Sequence, residues 1–256
     1  MRIQKYSSGC LLSALITVLA AGCADTDVLS GGKERIEITA ETAPCSQAGS
    51  RSQIDEAGST AGVTGILWSV DDQIGVFGKS TVNAPFEGTH TEPAATATFT
   101  GEVTSGDTPL HAYYPYREDA TDAAAIPVTV AVEQYWTGAA SISDNDIKAS
   151  STVTRRGDSW HFAFRPMVAM LRFEVDASGV DGVSTDERLV SIHVEEPEES
   201  DGKAEPWAGE FTMNLTDLDA GLAPVDGEAV TGLAVNLTDE PTRHAQISYA
   251  VFCLKK

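Results

Sequence analysis

Hydrophobic side chains recur at every second position in many short stretches of this chain. Ile36 and Ile38 alternate with polar neighbours, and the longest such face runs from Met167 to Val175. The same period occurs in six further stretches: Val128 to Val132, Trp160 to Phe164, Val190 to Val194, Phe211 to Leu215, Leu233 to Leu237 and Ile247 to Val251. A period of two predicts strands with one buried face, and no stretch of helix length shows the helical spacing. The pattern therefore predicts an all-β protein.

Turn sequences separate these strands and set the expected architecture. Glycine stands beside Ser or Asp at Ser105-Gly106-Asp107, Ser178-Gly179, Asp181-Gly182, Asp201-Gly202 and Asp226-Gly227. Many short strands joined by turns favour a sandwich or a small barrel. At roughly 100–200 residues per domain, we expect two β-sandwich domains in tandem, 35–175 and 176–256. The Gly-, Asp- and Ser-rich loop Asp176 to Glu187 is the expected boundary, and the acidic loop Glu195 to Glu205 is expected to be an insertion in the later domain.

The first 22 residues have the features of a bacterial secretion signal. Arg2 and Lys5 form a short basic region, and the apolar stretch 11–21 is shorter than the roughly 20 residues that span a bilayer. The stretch ends in Leu19-Ala20-Ala21-Gly22-Cys23, which resembles the lipobox of bacterial lipoproteins. We therefore expect cleavage before Cys23 and acylation of its thiol, each buried methylene contributing about 0.8 kcal/mol to membrane binding. The polar, Gly-rich residues 23–34 would form the tether.

The charge balance excludes one class of partner. The chain carries 17 Lys and Arg against 38 Asp and Glu, a net charge of −21. Residues 1–22 hold two of the basic residues and no acid, so the chain after the signal carries 15 basic and 38 acidic residues, or −23. Such a surface repels phosphate backbones and anionic headgroups, which makes nucleic-acid binding a poor hypothesis.

Two of the four cysteines remain free for a disulfide. Cys10 leaves with the signal and Cys23 carries the lipid, so Cys45 and Cys253 could pair in an oxidising compartment. They lie near opposite ends of the chain, so a bridge requires the two ends to meet in space.

The sequence contains no motif that predicts an enzyme, a metal site or a cofactor. The histidines are scattered, and CxxC, HExxH, GxSxG and Gly-rich phosphate loops are missing. The acidic stretches 144–146 and 195–199 lack the spacing and glycine of an EF-hand loop, so we expect solvated loops there. A hydrolase would need paired carboxylates that the sequence does not indicate.

Three motifs in the N-terminal half of the chain are distinctive enough to compare with known families. They are Trp68-Ser69-Val70-Asp71-Asp72-Gln73-Ile74-Gly75-Val76-Phe77, Ala97-Thr98-Phe99-Thr100-Gly101 and Leu110-His111-Ala112-Tyr113-Tyr114-Pro115-Tyr116. Their order resembles the N-terminal domain of the fimbrillin (Mfa-like) family, with a looser match at Phe162 to Phe173. The residue types suit core and corner positions, because large aromatic rings bury area while a hydroxyl stays near a strand end. They indicate a family and not an active site.

The resemblance implies transthyretin-like sandwich domains and a pilus function. Fimbrillins are lipoprotein precursors of surface pili or of their accessory subunits. In the polymerising members a trypsin-like protease cuts after an Arg, which frees the first strand so that a strand of the next subunit takes its place. Here the removed segment would include Ile36 to Ala40. Arg51, in a Ser- and Gly-rich stretch, is the preferred cleavage site, and Arg35 is the second.

The expected location is the bacterial surface. Asp25 and Asp27 resemble the signal that sends lipoproteins to the outer face of the outer membrane, from which a processed subunit would enter a pilus. The alternative is a surface lipoprotein that does not polymerise and binds a glycan or a host protein, with Trp136 and Trp207 as candidate stacking residues. The chain stops at Phe252-Cys253-Leu254-Lys255-Lys256, so we expect an incomplete second domain in which a donor strand could be missing.

Overall fold

The computed structural model describes residues 32–42, 53–60, 63–136, 145–176, 189–195, 206–237 and 246–252. Within these ranges the protein is all-β, as the alternating pattern predicts. The first nine strands are β1 (Lys33–Thr42), β2 (Gln53–Thr60), β3 (Val63–Leu67), β4 (Gln73–Gly78), β5 (Ala84–Gly88), β6 (Thr96–Thr104), β7 (Pro109–Tyr114), β8 (Ile126–Val130) and β9 (Glu133–Trp136). The others are β10 (Lys148–Ser150), β11 (Val153–Arg156), β12 (Ser159–Pro166), β13 (Met170–Asp176), β14 (Ser191–Glu195), β15 (Ala208–Met213), β16 (Leu222–Val230), β17 (Gly232–Leu237) and β18 (Gln246–Phe252).

The largest sheet closes on itself. Its order is β1-β6-β5-β4-β7-β10-β12, and β1 also pairs with β12, so seven strands form a barrel-like ring. Six of the seven junctions are antiparallel and the β1–β12 junction is parallel. Strand directions can alternate all the way round a ring only when the number of strands is even. A seven-stranded ring therefore needs a parallel junction, and β1 provides it.

The interior of the ring is an aromatic core. Trp68 is fully buried and makes edge-on contacts with Phe99, Tyr114 and Phe164, at centroid distances of 5.1, 5.6 and 5.2 Å. The other buried residues of this aromatic core are Ile38, Ala40, Ile74, Val76, Ala84, Phe86, Ala97, Val103, Ala112 and Phe162. These residues come from alternate positions of the ring strands, which is why a period of two predicted β1 and β12.

A second core lies against the outer face of the ring. Phe77, Tyr113 and Ala149 point outwards from ring strands and pack with buried residues of β8, β15 and β17. Two three-stranded sheets enclose this core, in the orders β16-β15-β8 and β14-β17-β9. Each sheet combines a strand from 126–136 with strands from 191–237, so hydrogen bonding continues across the predicted boundary at 176–187.

The structure does not confirm tandem sandwiches, because the first unit closes into a barrel-like sheet. The longest predicted face is also interrupted. Pro166 ends β12 and β13 begins at Met170, while Met167 and Val168 pack in the second core. A proline cannot donate to a ladder, which is the physical reason for the break. Val132, expected to continue β8, is 42% exposed, because the strand ends at Val130.

Candidate functional site

The space that β1 fills between β6 and β12 is the candidate site, and we call it the β1 slot. The strand pairs with β6 in antiparallel register from Lys33 opposite Thr104 to Glu41 opposite Thr96. From Ile38 to Thr42 it also pairs in parallel with β12. Its C-terminal half is therefore hydrogen-bonded along both edges. Removing β1 would open the ring and leave unpaired main-chain groups on β6 and β12.

Alternate side chains of β1 fill the slot. Ile38 and Ala40 are fully buried in the aromatic core and Thr42 is 3% exposed, while Ile36 packs partly buried at the entrance. The Thr42 hydroxyl has no hydrogen-bond partner among the described residues. A buried hydroxyl without a partner typically costs about 1–3 kcal/mol. The Thr42 hydroxyl is therefore a weak point in the fit of β1 to its slot.

Charged contacts on the outer face hold β1 only weakly. His161 of β12 lies 3.1 Å from Glu41 (Nε2 to Oε2), and Arg35 lies 3.9 Å from Glu102 of β6. The backbone N–H of Gly106 donates to the Glu34 carboxylate at 3.0 Å. An exposed ion pair such as Arg35–Glu102 contributes about 0–1 kcal/mol, and the His161–Glu41 contact is an ion pair only when the imidazole is protonated. The retention of β1 therefore rests on main-chain pairing and on the burial of its inward side chains.

The predicted processing residues stand in different relations to the slot. Arg35 lies within β1, opposite Glu102, so cleavage after it would leave residues 36–42 paired in the slot. Arg51 follows the strand in sequence and lies outside the described residues, as do Cys23, Cys45 and Cys253. A cut at Arg51 would place all of β1 on the N-terminal fragment.

A buried ion pair lies inside the ring, and the sequence analysis missed it. Lys148 Nζ lies 2.7 Å from Asp146 Oδ2, and both side chains are fully buried. The ammonium is 3.7 Å from the ring centroid of Trp68 and 4.5 Å from that of Tyr114. Burial raises the pKa of Asp146, the charge and hydrogen bond of Lys148 lower it, and Asp72 raises it, with a net upward shift. The expected solvated loop at 144–146 is therefore wrong for Asp146.

The tyrosine motif fixes the end of β7 from both sides. Tyr114 donates its hydroxyl to Asp72 Oδ1 at 2.9 Å inside the ring. Tyr113 points the other way and donates to Asn83 Oδ1 at 2.7 Å, while the backbone N–H of Arg117 donates to its oxygen at 3.1 Å. Burial raises the pKa of Tyr113 to about 12. These contacts agree with the predicted structural role of the motif.

The two tryptophans proposed as sugar platforms are not free aromatic faces. Trp136 and Trp207 are partly buried and pack against the second core. In the described part of the chain, no group of three or more His, Cys, Asp and Glu side chains is arranged to hold a metal ion. The same residues include no helix of the length and hydrophobicity needed to cross a membrane.

Comparison with solved structures gives a structural likeness. No protein-family model matches the chain, and no curated protein matches it. A crystal structure of a "putative cell adhesion protein" from Bacteroides uniformis resembles it with a TM-score of 0.49 and 16% sequence identity, over 86% of this chain and 74% of that one. A likeness at this level assigns neither family nor function.

Proposed function

We propose that this chain is a surface-anchored fimbrial subunit, structural or accessory, that assembles by β-strand exchange and takes part in adhesion. The observation that supports this most is the position of β1. It closes the ring, it is paired along both edges in its C-terminal half, and it begins where the predicted lipid tether ends in sequence. The anchor and the exchangeable strand are thus on one short N-terminal segment, which a single cut would separate from the rest.

A replacement strand would stabilise the opened slot. Loss of β1 exposes the contacts of Ile38, whose burial contributes about 1.5–3 kcal/mol, together with the facing edges of β6 and β12. A strand from a second subunit restores the main-chain pairing and fills the alternate side-chain positions, which is the mechanism of β-augmentation. The incoming strand would run antiparallel to β6 and parallel to β12, as β1 does.

The slot also defines which segment fits. Positions equivalent to Ile36 and Ile38 accept large aliphatic side chains, and the position of Ala40 accepts a small one. The position of Thr42 would accept valine better than threonine, because the hydroxyl has no partner there among the described residues. A donor with this alternation would bind more tightly than β1 and make exchange favourable.

The partners in this proposal are other fimbrial subunits, a trypsin-like processing protease, and the outer membrane until cleavage. Arg51 is the processing site, since a cut at Arg35 would leave most of β1 in the slot. The test is an unboiled SDS gel of the surface fraction with and without a trypsin-like protease, comparing the natural chain, Arg51→Ala and Arg35→Ala. Strand-inserted polymers resist the detergent until boiled.

We expect a protease-dependent ladder for the natural chain and for Arg35→Ala, and a single band for Arg51→Ala. A single band for the natural chain after cleavage would refute strand exchange. A ladder that persists in Arg51→Ala and disappears in Arg35→Ala would refute the choice of processing site.

A further inference from the structure

The β11–β12 hairpin presents a short charged loop at its tip. Arg156 pairs with Ser159, so the two strands are joined by the two residues Gly157 and Asp158. Gly157 has a φ of +64°, and Asp158 is not in the positive-φ region. In a type II′ turn the first of the two loop residues has a positive φ and the second does not. Such a turn favours glycine at the first position. The space where a Gly157 side chain would lie is open.

The two arginines beside this turn have different roles. Arg155 braces the loop, because its Nε donates to the carbonyl oxygen of Gly157 at 3.2 Å and its guanidinium lies 5.2 Å from the ring centroid of Trp160. Arg156 and Asp158 are exposed, and neither forms an ion pair or a side-chain hydrogen bond with the described residues. A cation and a carboxylate are therefore held on either side of a glycine in a braced turn, with both charges available to a partner.

We propose that Arg156-Gly157-Asp158 is a receptor-binding loop. Its partner would be a host receptor that holds a divalent cation with an open coordination position beside an acidic pocket. The Asp158 carboxylate would complete the coordination, because hard divalent cations prefer carboxylate oxygens. The planar Arg156 guanidinium would enter the acidic pocket, where it can bind a carboxylate through two parallel hydrogen bonds. Gly157, without a side chain, lets the receptor surface approach the turn closely.

Two features of the chain support this choice of partner. The protein is strongly acidic, so a cation on the receptor attracts it and offsets the repulsion from the receptor's acidic pocket. The loop is already ordered by its two-residue turn and by Arg155, so little conformational entropy remains to be lost on binding. The inference rests on the proposed surface location, and it names the class of receptor through which the protein would take part in adhesion.

The test uses the purified full-length protein in mild detergent and soluble ectodomains of Arg-Gly-Asp-binding integrins, whose ligand site contains such a cation. We expect binding in Mn²⁺ that is abolished by EDTA and displaced by a free Arg-Gly-Asp-Ser peptide. Asp158→Glu keeps the charge but lengthens the side chain by one methylene, and should weaken binding by at least about tenfold. Asp226→Glu, at another exposed Asp-Gly sequence, should bind like the natural chain.

Absence of binding to every such ectodomain would overturn the proposal, as would binding that survives EDTA or equal affinity of Asp158→Glu and the natural chain. Circular dichroism and the Tm of each variant establish that the hairpin change leaves the fold intact. Subunit ladders should form equally well in Asp158→Glu. Failure of the receptor proposal is therefore distinguishable from failure of strand exchange.

Discussion

Ile38 of β1 lies directly opposite Trp160 of β12, and the two strands run parallel. This pairing begins the β1–β12 junction, which closes the seven-stranded ring. The junction is formed by the N-terminal strand, so the element that completes the barrel is also the one that a single cut in the chain can detach.

Truncation of Ile38 should weaken the retention of β1. The side chain is fully buried among aromatic residues, so Ile38→Ala should lower the free energy of unfolding of the uncleaved protein by about 2–5 kcal/mol. Chemical denaturation followed by tryptophan fluorescence measures the change. Glu37→Ala, at the exposed neighbouring position, is the matched control and should change stability by no more than about 0.5 kcal/mol. Equal effects of the two substitutions would contradict the assigned direction of these side chains.

Replacement of the Thr42 hydroxyl should have the opposite effect. Thr42→Val removes a buried hydroxyl that has no partner among the described residues, while it keeps nearly the same shape. We expect about 1 kcal/mol of added stability and slower release of β1 after cleavage. Hydrogen exchange at the backbone amides of β6 and β12 measures that release. Thr39→Val, on the outer side of the same strand, is the control, and a loss of stability in Thr42→Val would show that the hydroxyl is satisfied.

Removal of Lys148 should leave an uncompensated buried acid. Lys148→Met should destabilise the protein by about 3–5 kcal/mol, because Asp146 is fully buried beside it. The double variant Asp146→Asn with Lys148→Met should recover most of that loss. Equilibrium denaturation of both variants tests this prediction. If the double variant were as unstable as Lys148→Met, the unpaired charge of Asp146 would not be the cause of the destabilisation.

The stability of Lys148→Met should also depend on pH in a defined direction. The pKa of Asp146 is raised above the ordinary aspartate value of 3.8, so the folded state binds its proton more tightly than the unfolded state does. The resulting stabilisation is present below 3.8 and is lost as the pH rises through the folded pKa. Without Lys148 to lower that pKa, the loss on going from acidic to neutral pH should be larger than in the natural chain. A flat pH profile for this variant would contradict the account.

Asp107 should contribute most of its stabilisation when ionised. It accepts hydrogen bonds from the backbone N–H groups of Lys79, Ser80, Thr81 and Thr108, and so ties two neighbouring turns together. Burial raises the pKa of Asp107, but the hydrogen bonds from Thr81, Ser80 and Thr108 outweigh it and lower the pKa below 3.8. Its stabilisation is therefore present above 3.8 and lost as the pH falls through the folded pKa. Asp107→Asn should lower Tm near neutral pH, and the difference from the natural chain should narrow in acid. If the difference in Tm between Asp107→Asn and the natural chain stayed constant from neutral to acidic pH, the charge of Asp107 would not be the source of its stabilisation.

The alternating pattern predicted the strands better than it predicted their arrangement. Ile36 and Ile38, Phe162 and Phe164, and Leu233 and Val235 all belong to strands with inward-facing side chains. Closure of the ring could not be predicted, because it depends on the register of β1 against β12, which are more than a hundred residues apart. The pairing of strands from either side of Asp176 in shared sheets could not be predicted for the same reason.

The candidate sites were only partly visible in the sequence. The strand β1 was predicted, because the alternation of Ile36 and Ile38 with polar neighbours can be read directly. Lys148 was missed because β10 is only three residues long and a lysine there does not suggest a buried residue. Arg156-Gly157-Asp158 could have been found from the contiguous tripeptide and the strand pattern that follows it. Its presentation as a braced two-residue turn required the structure.

The exchange of β1 is tested most directly by locking the strand in place. Thr39 and Thr98 lie opposite each other in the antiparallel β1–β6 pair, where Cα separations of about 4.5–5.5 Å match those of a disulfide. We expect the double variant Thr39→Cys with Thr98→Cys, cleaved by the protease under oxidising conditions, to run as a single species on an unboiled gel and to form ladders once a reductant is added. Thr39→Cys alone should form ladders in both conditions. A ladder from the oxidised double variant, with its disulfide verified by mass spectrometry, would contradict assembly through the β1 slot.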